Sequence, residues 1–446
     1  MLTDVITAVA TPPGRSAIAL VRLSGAEAFD VAARVLEPFD RTAERRAKRA
    51  HVVHPPTNEI LDDVLYVVYH APASYTGEDV VEISTHGGLL APAETLGALV
   101  AAGARVAAPG EFTRRAVLNG KMDLLQAEAV GDLIDATAPA QRRAALDQLD
   151  RGLSRRIEHF RSDVLELEAL VSYEIDFPEE DGGPVAPERI EAAIDALTTA
   201  LAALSQTAAE GERLREGAVA VIAGRPNVGK SSLFNALIGS ERAIVTDIAG
   251  TTRDAIEVPI TCDGFPLRLI DTAGLHSTTD RVDRLGVEVS RRYLEGADVV
   301  LCCAESGRDL DPTEREFLAE LQAPVVLVRT KADLVSTCDD EEGIRVSSMS
   351  GEGLKLLRSD LARLAFSSLL PRADLEPLVT RERHRAALRS ALEEVEAFRS
   401  VRASGMESAV AAVHLRAAVR ALEDIIGVVT TEDVLDRLFA TFCVGK

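Results

Sequence analysis

Gly224-Arg225-Pro226-Asn227-Val228-Gly229-Lys230-Ser231 decides the reading of this 446-residue chain. It follows the apolar run AVAVIAG (218–224) and opens the helix-like KSSLFNALIG (230–239), so it stands as a glycine-rich turn between a strand and a helix. The glycines let successive backbone N–H groups turn inward onto phosphate oxygens, with Asn227, Val228, Gly229, Lys230, Ser231 and Ser232 forming the cradle. Lys230 has the reach for terminal phosphates, and the Ser231 hydroxyl suits a magnesium ion.

Three more stretches occur in the order and spacing that such a loop needs. Asp271-Thr272-Ala273-Gly274 ends the apolar run LRLIDTAG, where Asp271 can hold magnesium through water and the Gly274 N–H can sense a terminal phosphate. Upstream, Gly250-Thr251-Thr252-Arg253-Asp254 supplies a switch segment with Thr252 as a magnesium ligand. Downstream, Thr330-Lys331-Ala332-Asp333 ends another strand-like run. A carboxylate at Asp333 can accept two hydrogen bonds from the N1–H and amino group of guanine, a donor pair adenine lacks, so GTP is the expected nucleotide. Leu275 stands where a Ras-type enzyme carries a water-orienting glutamine. Asn227 suggests another device, a monovalent cation that neutralises charge developing at the phosphates.

Outward from this core the texture changes. Strand-like runs from Gly217 to Leu370 (AVAVIAG, LRLIDTAG, ADVVLCCAES, APVVLVRTKAD) alternate with helices, as in a parallel sheet buried on both faces. On either side the period is helical. Leu146, Leu149, Leu153, Ile157, Phe160, Val164, Leu167 and Val171 recur at steps of three and four, which predicts one long helix ending near Pro178. A second helix is predicted over 187–215 and further helices over 380–442, with Thr431 capping the last. The first ~120 residues read as a small α/β or α+β domain with strands at ITAVAT, AIALVRL, VLYVVYH and DVVEIS and a helix over 91–102. The expected architecture is therefore multidomain α/β plus all-α. It has an N-terminal domain (1–120), a helical domain in two parts (121–216 and 373–446) and a phosphate-loop domain (217–372) inserted between them.

Composition narrows the setting. The formal net charge of −22 argues against a general nucleic-acid coat protein, although RTAERRAKRA (41–50) reads either as a solvated surface segment or as a local RNA-binding patch. The five cysteines are odd in number and lack zinc-ligand spacing, which fits a reducing cytoplasm. No run is apolar enough to span a membrane, and neither membrane nor DNA is expected as a partner. Only six of the 49 basic residues are lysine (Lys48, Lys121, Lys230, Lys331, Lys355, Lys446), so a retained lysine points to a site that needs a compact ammonium.

With GRPNVGKSS, TDIAGTTRD and DTAGL in hand, the chain resembles the TrmE (MnmE) family of tRNA-modification GTPases over essentially its whole length. The flanks carry the specific likeness: ATPPGRSAIALVRLSG, YTGEDVVEISTHGG, PGEFTRRAVLNGKMDLLQAEAV and the C-terminal FCVGK. The resemblance implies an N-terminal domain that dimerises and binds a formyl- or methylene-tetrahydrofolate, with contacts from Arg22, Glu82, Lys121 and Lys446. It implies a homodimer that works on tRNA with an FAD-dependent partner enzyme, adding an aminomethyl or carboxymethylaminomethyl group to carbon five of the wobble uridine. GTP hydrolysis would be stimulated by potassium held by Asn227, Thr246, Ile248 and Thr251, with magnesium on Ser231 and Thr252. The segment from Thr246 through Asp247, Ile248, Ala249 and Gly250 to Thr252 would line the nucleotide. Catalytic roles would fall to Lys230, Thr252, Gly274, the residue at Asp283 and Cys443.

Read from the residues alone, Glu82 is first an exposed strand carboxylate, Lys121 a turn-capping or turn-solvating cation, and Cys443 either a small buried hydrophobe or a reactive thiol. The chain departs from the family pattern in places. Asp283 stands for the usual glutamate, one methylene shorter, so water would be held less directly. Thr330 replaces an asparagine that braces the phosphate loop, and Ser347-Ser348-Met349 follow Val346 where a Ser-Ala pair would offer a backbone N–H to guanine. A regulatory GTPase bound to a ribosomal particle is the competing reading, and a dimeric scaffold with degenerate catalysis is a third.

Overall fold

The computed structural model describes residues 4–176, 186–239, 257–271, 293–335, 342–367, 369, 377–406, 408–427 and 432–445. They group into two compact units, one of residues 1–131 with 423–446 and the other of residues 132–422.

The first unit is built on a seven-stranded sheet. Its strands are β1 (Ile6–Val9), β2 (Ile18–Ser24), β3 (Leu36–Glu37), β4 (Lys48–Val53), β5 (Ile60–Tyr69), β6 (Val80–His86) and β7 (Arg105–Val106), in the spatial order β3-β4-β5-β6-β2-β1-β7. Every pairing is antiparallel except β1 with β7. Period-two alternation splits the sheet into two faces. Val21 and Leu23 of β2 and Val81 and Ile83 of β6 point into a core closed by the helices Ala28–Ala33 and Leu90–Ala101. The intervening Arg22 and Glu82 are cross-strand partners and face the other way. On that second face Ile6 and Ala8 pack with Ala107 and Phe112. The C-terminal helix Glu432–Phe439 joins this unit, burying Leu435 and Phe439 against Leu124 and Ala127.

The second unit holds the other sheet and most of the helices. Strands β8 (Ala218–Gly224), β9 (Glu257–Cys262), β10 (Phe265–Asp271), β11 (Val299–Glu305), β12 (Val325–Thr330) and β13 (Ile344–Arg345) run in the order β13-β12-β11-β8-β10-β9. All neighbours are parallel except the edge pair β9–β10. That pair is a two-residue hairpin at Asp263-Gly264, where φ values of 48° and 84° are the left-handed angles such a turn requires. The near-continuous burial of β8, β10 and β11 is the pattern of strands covered on both faces.

The apolar stripe predicted as one helix is divided. Helices run over Pro139–Leu149 and Gly152–Asp176, with Arg151 between them at φ 65°. The stripe from Leu153 to Val171 is buried throughout, whereas Leu146, on the far side of the break, is 46% exposed. The helix predicted over 187–215 is likewise two, Pro187–Gln206 and Ala208–Glu216. Helices Glu382–Ala403 and Ser408–Ile426 follow the sheet. Thr431, read as a cap, lies outside the described residues.

Candidate functional site

Gly224, Asp271, Glu305 and Thr330 end β8, β10, β11 and β12, so the predicted motifs emerge at the carboxyl edge of one parallel sheet, the edge where such sheets bind ligands. Gly224 sits at φ 137°, and a Cβ there would lie 2.5 Å from the Cys303 carbonyl oxygen. Only glycine fits. Asn227 and Gly229 also take positive φ, curling the loop before the helix Lys230–Gly239.

Within the loop, Lys230 is buried and its Nζ donates to the carbonyls of Gly224 and Arg225 at 2.8 Å each. The Ser231 hydroxyl donates to Asp271 Oδ2 at 3.0 Å, and Asp271 is itself buried. A hydroxyl and a carboxylate converging beside a phosphate loop are a donor set that fits magnesium. Val228 is buried while Asn227, Ser231 and Ser232 are exposed, with Gly229 between. The Thr330 hydroxyl faces the carbonyls of Val228 and Ala304, bracing the loop.

Lys331 takes a left-handed φ of 57° and pairs with Glu305. Ala332 N–H donates to the Val346 carbonyl at 3.2 Å, which brings the Asp333 segment beside Ser347-Ser348-Met349. Asp333 is exposed in the short turn Ala332–Leu334. Ser347 is fully buried, its hydroxyl accepting from the N–H groups of Met349 and Ser350 at 3.3 and 3.1 Å. Ser348 is half-buried and Met349 exposed. Thr246, Asp247, Ile248, Ala249, Gly250, Thr251, Thr252, Thr272, Ala273, Gly274, Asp283 and Lys446 lie outside the described residues. Burial pushes the Cys302 thiol up to about 11 and that of Cys303 higher still, so neither beneath the loop is a nucleophile at neutral pH.

A second polar site lies on the outer face of the seven-stranded sheet. Arg22 Nε and Nη2 donate to Glu82 Oε1 at 3.0 and 2.7 Å. Arg22 Nη1 donates to the Gly445 carbonyl at 3.3 Å, and its guanidinium lies 5.3 Å from the Tyr75 ring centre and 5.6 Å from that of Phe112. Tyr69 donates to Glu82 Oε2 at 3.4 Å. Lys121 takes a different partner, the Pro72 carbonyl at 2.8 Å. Cys443 is exposed, which removes its reading as a buried hydrophobe. The sequence reading missed Tyr69, Tyr75 and Phe112; the signal was period two, which puts Tyr69 on the strand beside Glu82.

A glycine-rich loop between strand and helix, a buried lysine, and a serine–aspartate pair at the carboxyl edge of a parallel sheet define a phosphate-loop nucleoside-triphosphate hydrolase. Residues 5–121 match the family model described as the N-terminus of GTP-binding protein TrmE, and residues 124–443 match that of the MnmE helical domain. The chain is 41% identical over 466 residues to the tRNA modification GTPase MnmE of Heliobacterium modesticaldum, covering 100% of both. It is 40% identical over 454 residues to that of Aquifex aeolicus, again covering 100% of both. With the Lactiplantibacillus plantarum protein identity is 38% over 456 residues, covering 99% of this chain and 98% of the relative. The chain belongs to the MnmE family of tRNA modification GTPases and is a GTP-hydrolysing enzyme.

Proposed function

We propose that this GTPase modifies tRNA, adding an aminomethyl or carboxymethylaminomethyl group to carbon five of the wobble uridine together with an FAD-dependent partner enzyme. The Arg22–Glu82 pair carries the reading, because a nucleotide-driven switch alone has no use for a second site of this chemistry. A carboxylate flanked by an arginine and the rings of Tyr69, Tyr75 and Phe112 is a donor set that fits a flat, N–H-rich heterocycle such as the pterin of a tetrahydrofolate. Bound there, the folate would supply the one-carbon unit, while Glu82 accepts ring N–H groups and Arg22 orients Glu82. Lys121 and Lys446 are assigned contacts to the folate, and the exposed Cys443 a part in the modification chemistry.

At the nucleotide site GTP is held by the loop Asn227–Ser232, Lys230 and Asp271, with the guanine on Asp333 and beside Ser347-Ser348-Met349. Magnesium falls to Ser231 and Thr252, and potassium to Asn227, Thr246, Ile248 and Thr251. The two helical stretches, 121–216 and 373–446, form one domain interrupted by the GTPase domain 217–372, and the chain acts as a homodimer in the cytoplasm through its N-terminal domain. The test is nucleoside analysis by mass spectrometry of tRNA from cells lacking the gene. Loss of the modified wobble uridine, restored by the parent gene but not by Glu82→Ala, is expected. An unchanged nucleoside profile in cells with no second enzyme of this activity would sink the reading.

A further inference from the structure

Arg225, the second residue of the phosphate loop, has a side chain that turns away from the cradle. Its guanidinium pairs with Asp311 and places Nε 3.3 Å from Glu314 Oε1. Both carboxylates are fixed before Arg225 reaches them. They form the reciprocal cap of the helix Pro312–Glu320, Glu314 N–H donating to Asp311 Oδ1 and Asp311 N–H to Glu314 Oε2, each at 2.9 Å. Arg308 donates to both Glu314 oxygens at 2.5 Å, and the Arg308 carbonyl accepts from Arg329 of β12 at 2.8 Å. Two guanidiniums and two carboxylates thus balance in charge, with Glu314 only 11% exposed.

The main chain of the same residue is held as well, since the Arg225 carbonyl accepts from Lys230. On the far side of the loop, Thr330 at the end of β12 braces the Val228 carbonyl. Arg225 therefore fastens the loop to the capped helix that connects β11 with β12, and Thr330 fastens it to the end of β12.

We propose that Arg225 is a positioning residue for nucleotide binding: its clamp on Asp311 and Glu314 holds the phosphate loop open in the curved shape that receives phosphates. This rests on the reading that Gly224–Ser231 is the phosphate site. Lys230 must exchange the Gly224 and Arg225 carbonyls for phosphate oxygens as nucleotide enters. A loop fixed through the Arg225 side chain keeps its curvature during that exchange, and an unfixed loop spends part of its time in shapes that bind nothing.

The test is a double-mutant cycle on the full chain, read as the dissociation rate and Kd of a fluorescent GDP. Arg225→Ala and the pair Asp311→Asn with Glu314→Gln should each speed release about fivefold, the triple variant no more than either. Arg225→Lys, which keeps one charge contact, should recover part of the loss. Thermal unfolding measured alongside identifies variants that have lost their fold, and Asp311→Asn alone serves if the helix cap fails. Release rates within twofold of the parent, or effects that add in the triple variant, would overturn the clamp. Lys230→Ala runs in parallel. If it binds GDP as tightly as the parent, the phosphate-site reading fails; if it weakens GDP while Arg225→Ala does not, the clamp alone fails.

Discussion

Single atoms settle several points at the nucleotide site. The Thr330 hydroxyl supports the Val228 carbonyl in a position where the family pattern has an amide. Val228 and Thr330 are both buried, so no water replaces that donor. Thr330→Val keeps the shape, removes the hydrogen bond and leaves a carbonyl without its brace. It should cost about 1–3 kcal/mol of stability, seen in urea unfolding, and weaken GDP binding. A variant as stable as the parent, with GDP binding unchanged, would mean that the hydroxyl does not brace the loop. Asp283 gives a second prediction. If it holds the attacking water at a carboxylate one methylene too short, Asp283→Glu should raise the turnover of GTP in potassium, and a variant no faster than the parent removes Asp283 from water positioning. Asn227 gives a third: hydrolysis should be faster in potassium than in sodium, and identical rates would remove the cation from the mechanism.

At the scale of elements, the helix Glu111–Leu118 shows how charge fixes a joint. Arg115, 1% exposed, reaches the Asp4 carbonyl and carboxylate, Glu78 and Glu111, while Arg105 bridges Asp4 and Glu111 from outside. Burial works to raise the Glu111 and Asp4 carboxyls, but the two arginines outweigh it and hold both below the usual carboxylate range. A depressed folded-state pKa adds stability above the unfolded value and loses it as pH falls through the folded one. The N-terminal unit should therefore lose stability on acidification below the ordinary carboxylate range. In Glu111→Gln that acid limb should shrink, and at neutral pH the variant should be less stable; an unchanged acid limb would put the coupling elsewhere. The same scale shows what the sequence could reveal. The apolar runs of β2, β5, β6, β8, β10, β11 and β12 lie where the alternation or continuous burial places them. The two-residue strands β3, β7 and β13 have no local pattern, because only their neighbours make them strands. The break at Arg151 was hidden because Leu149 and Leu153 keep a spacing of four across it, so the period continues while the backbone does not. The Arg22–Glu82 pair was legible only as two separate residues, since the register that joins them is a property of the sheet.

The whole molecule keeps its two sites in separate units. Lys230, Ser231, Asp271 and Thr330 all fall within residues 132–422; Arg22 and Glu82 share the other unit with Gly445. Gly445 is the point where the far end of the chain enters that site. Its φ of 99° is left-handed, and a Cβ there would lie 2.7 Å from the Val9 carbonyl oxygen, so alanine cannot take its place without moving the tail. Moving it withdraws the carbonyl that Arg22 donates to and leaves the guanidinium free to reorient on Glu82. Strain of about 1–3 kcal/mol is enough to weaken a ligand there by about tenfold. If the Arg22–Glu82 site takes a tetrahydrofolate as proposed, Gly445→Ala should lose affinity for it while binding GDP as the parent does, and Lys230→Ala should show the reverse. Equilibrium binding of both ligands to both variants decides it. If either substitution lowers both affinities together, the sites are not independent at the level of binding, and the division into two units does not describe how ligands are held. If Gly445→Ala keeps the parent's folate affinity, the Gly445 carbonyl contributes nothing to ligand binding at the Arg22–Glu82 site.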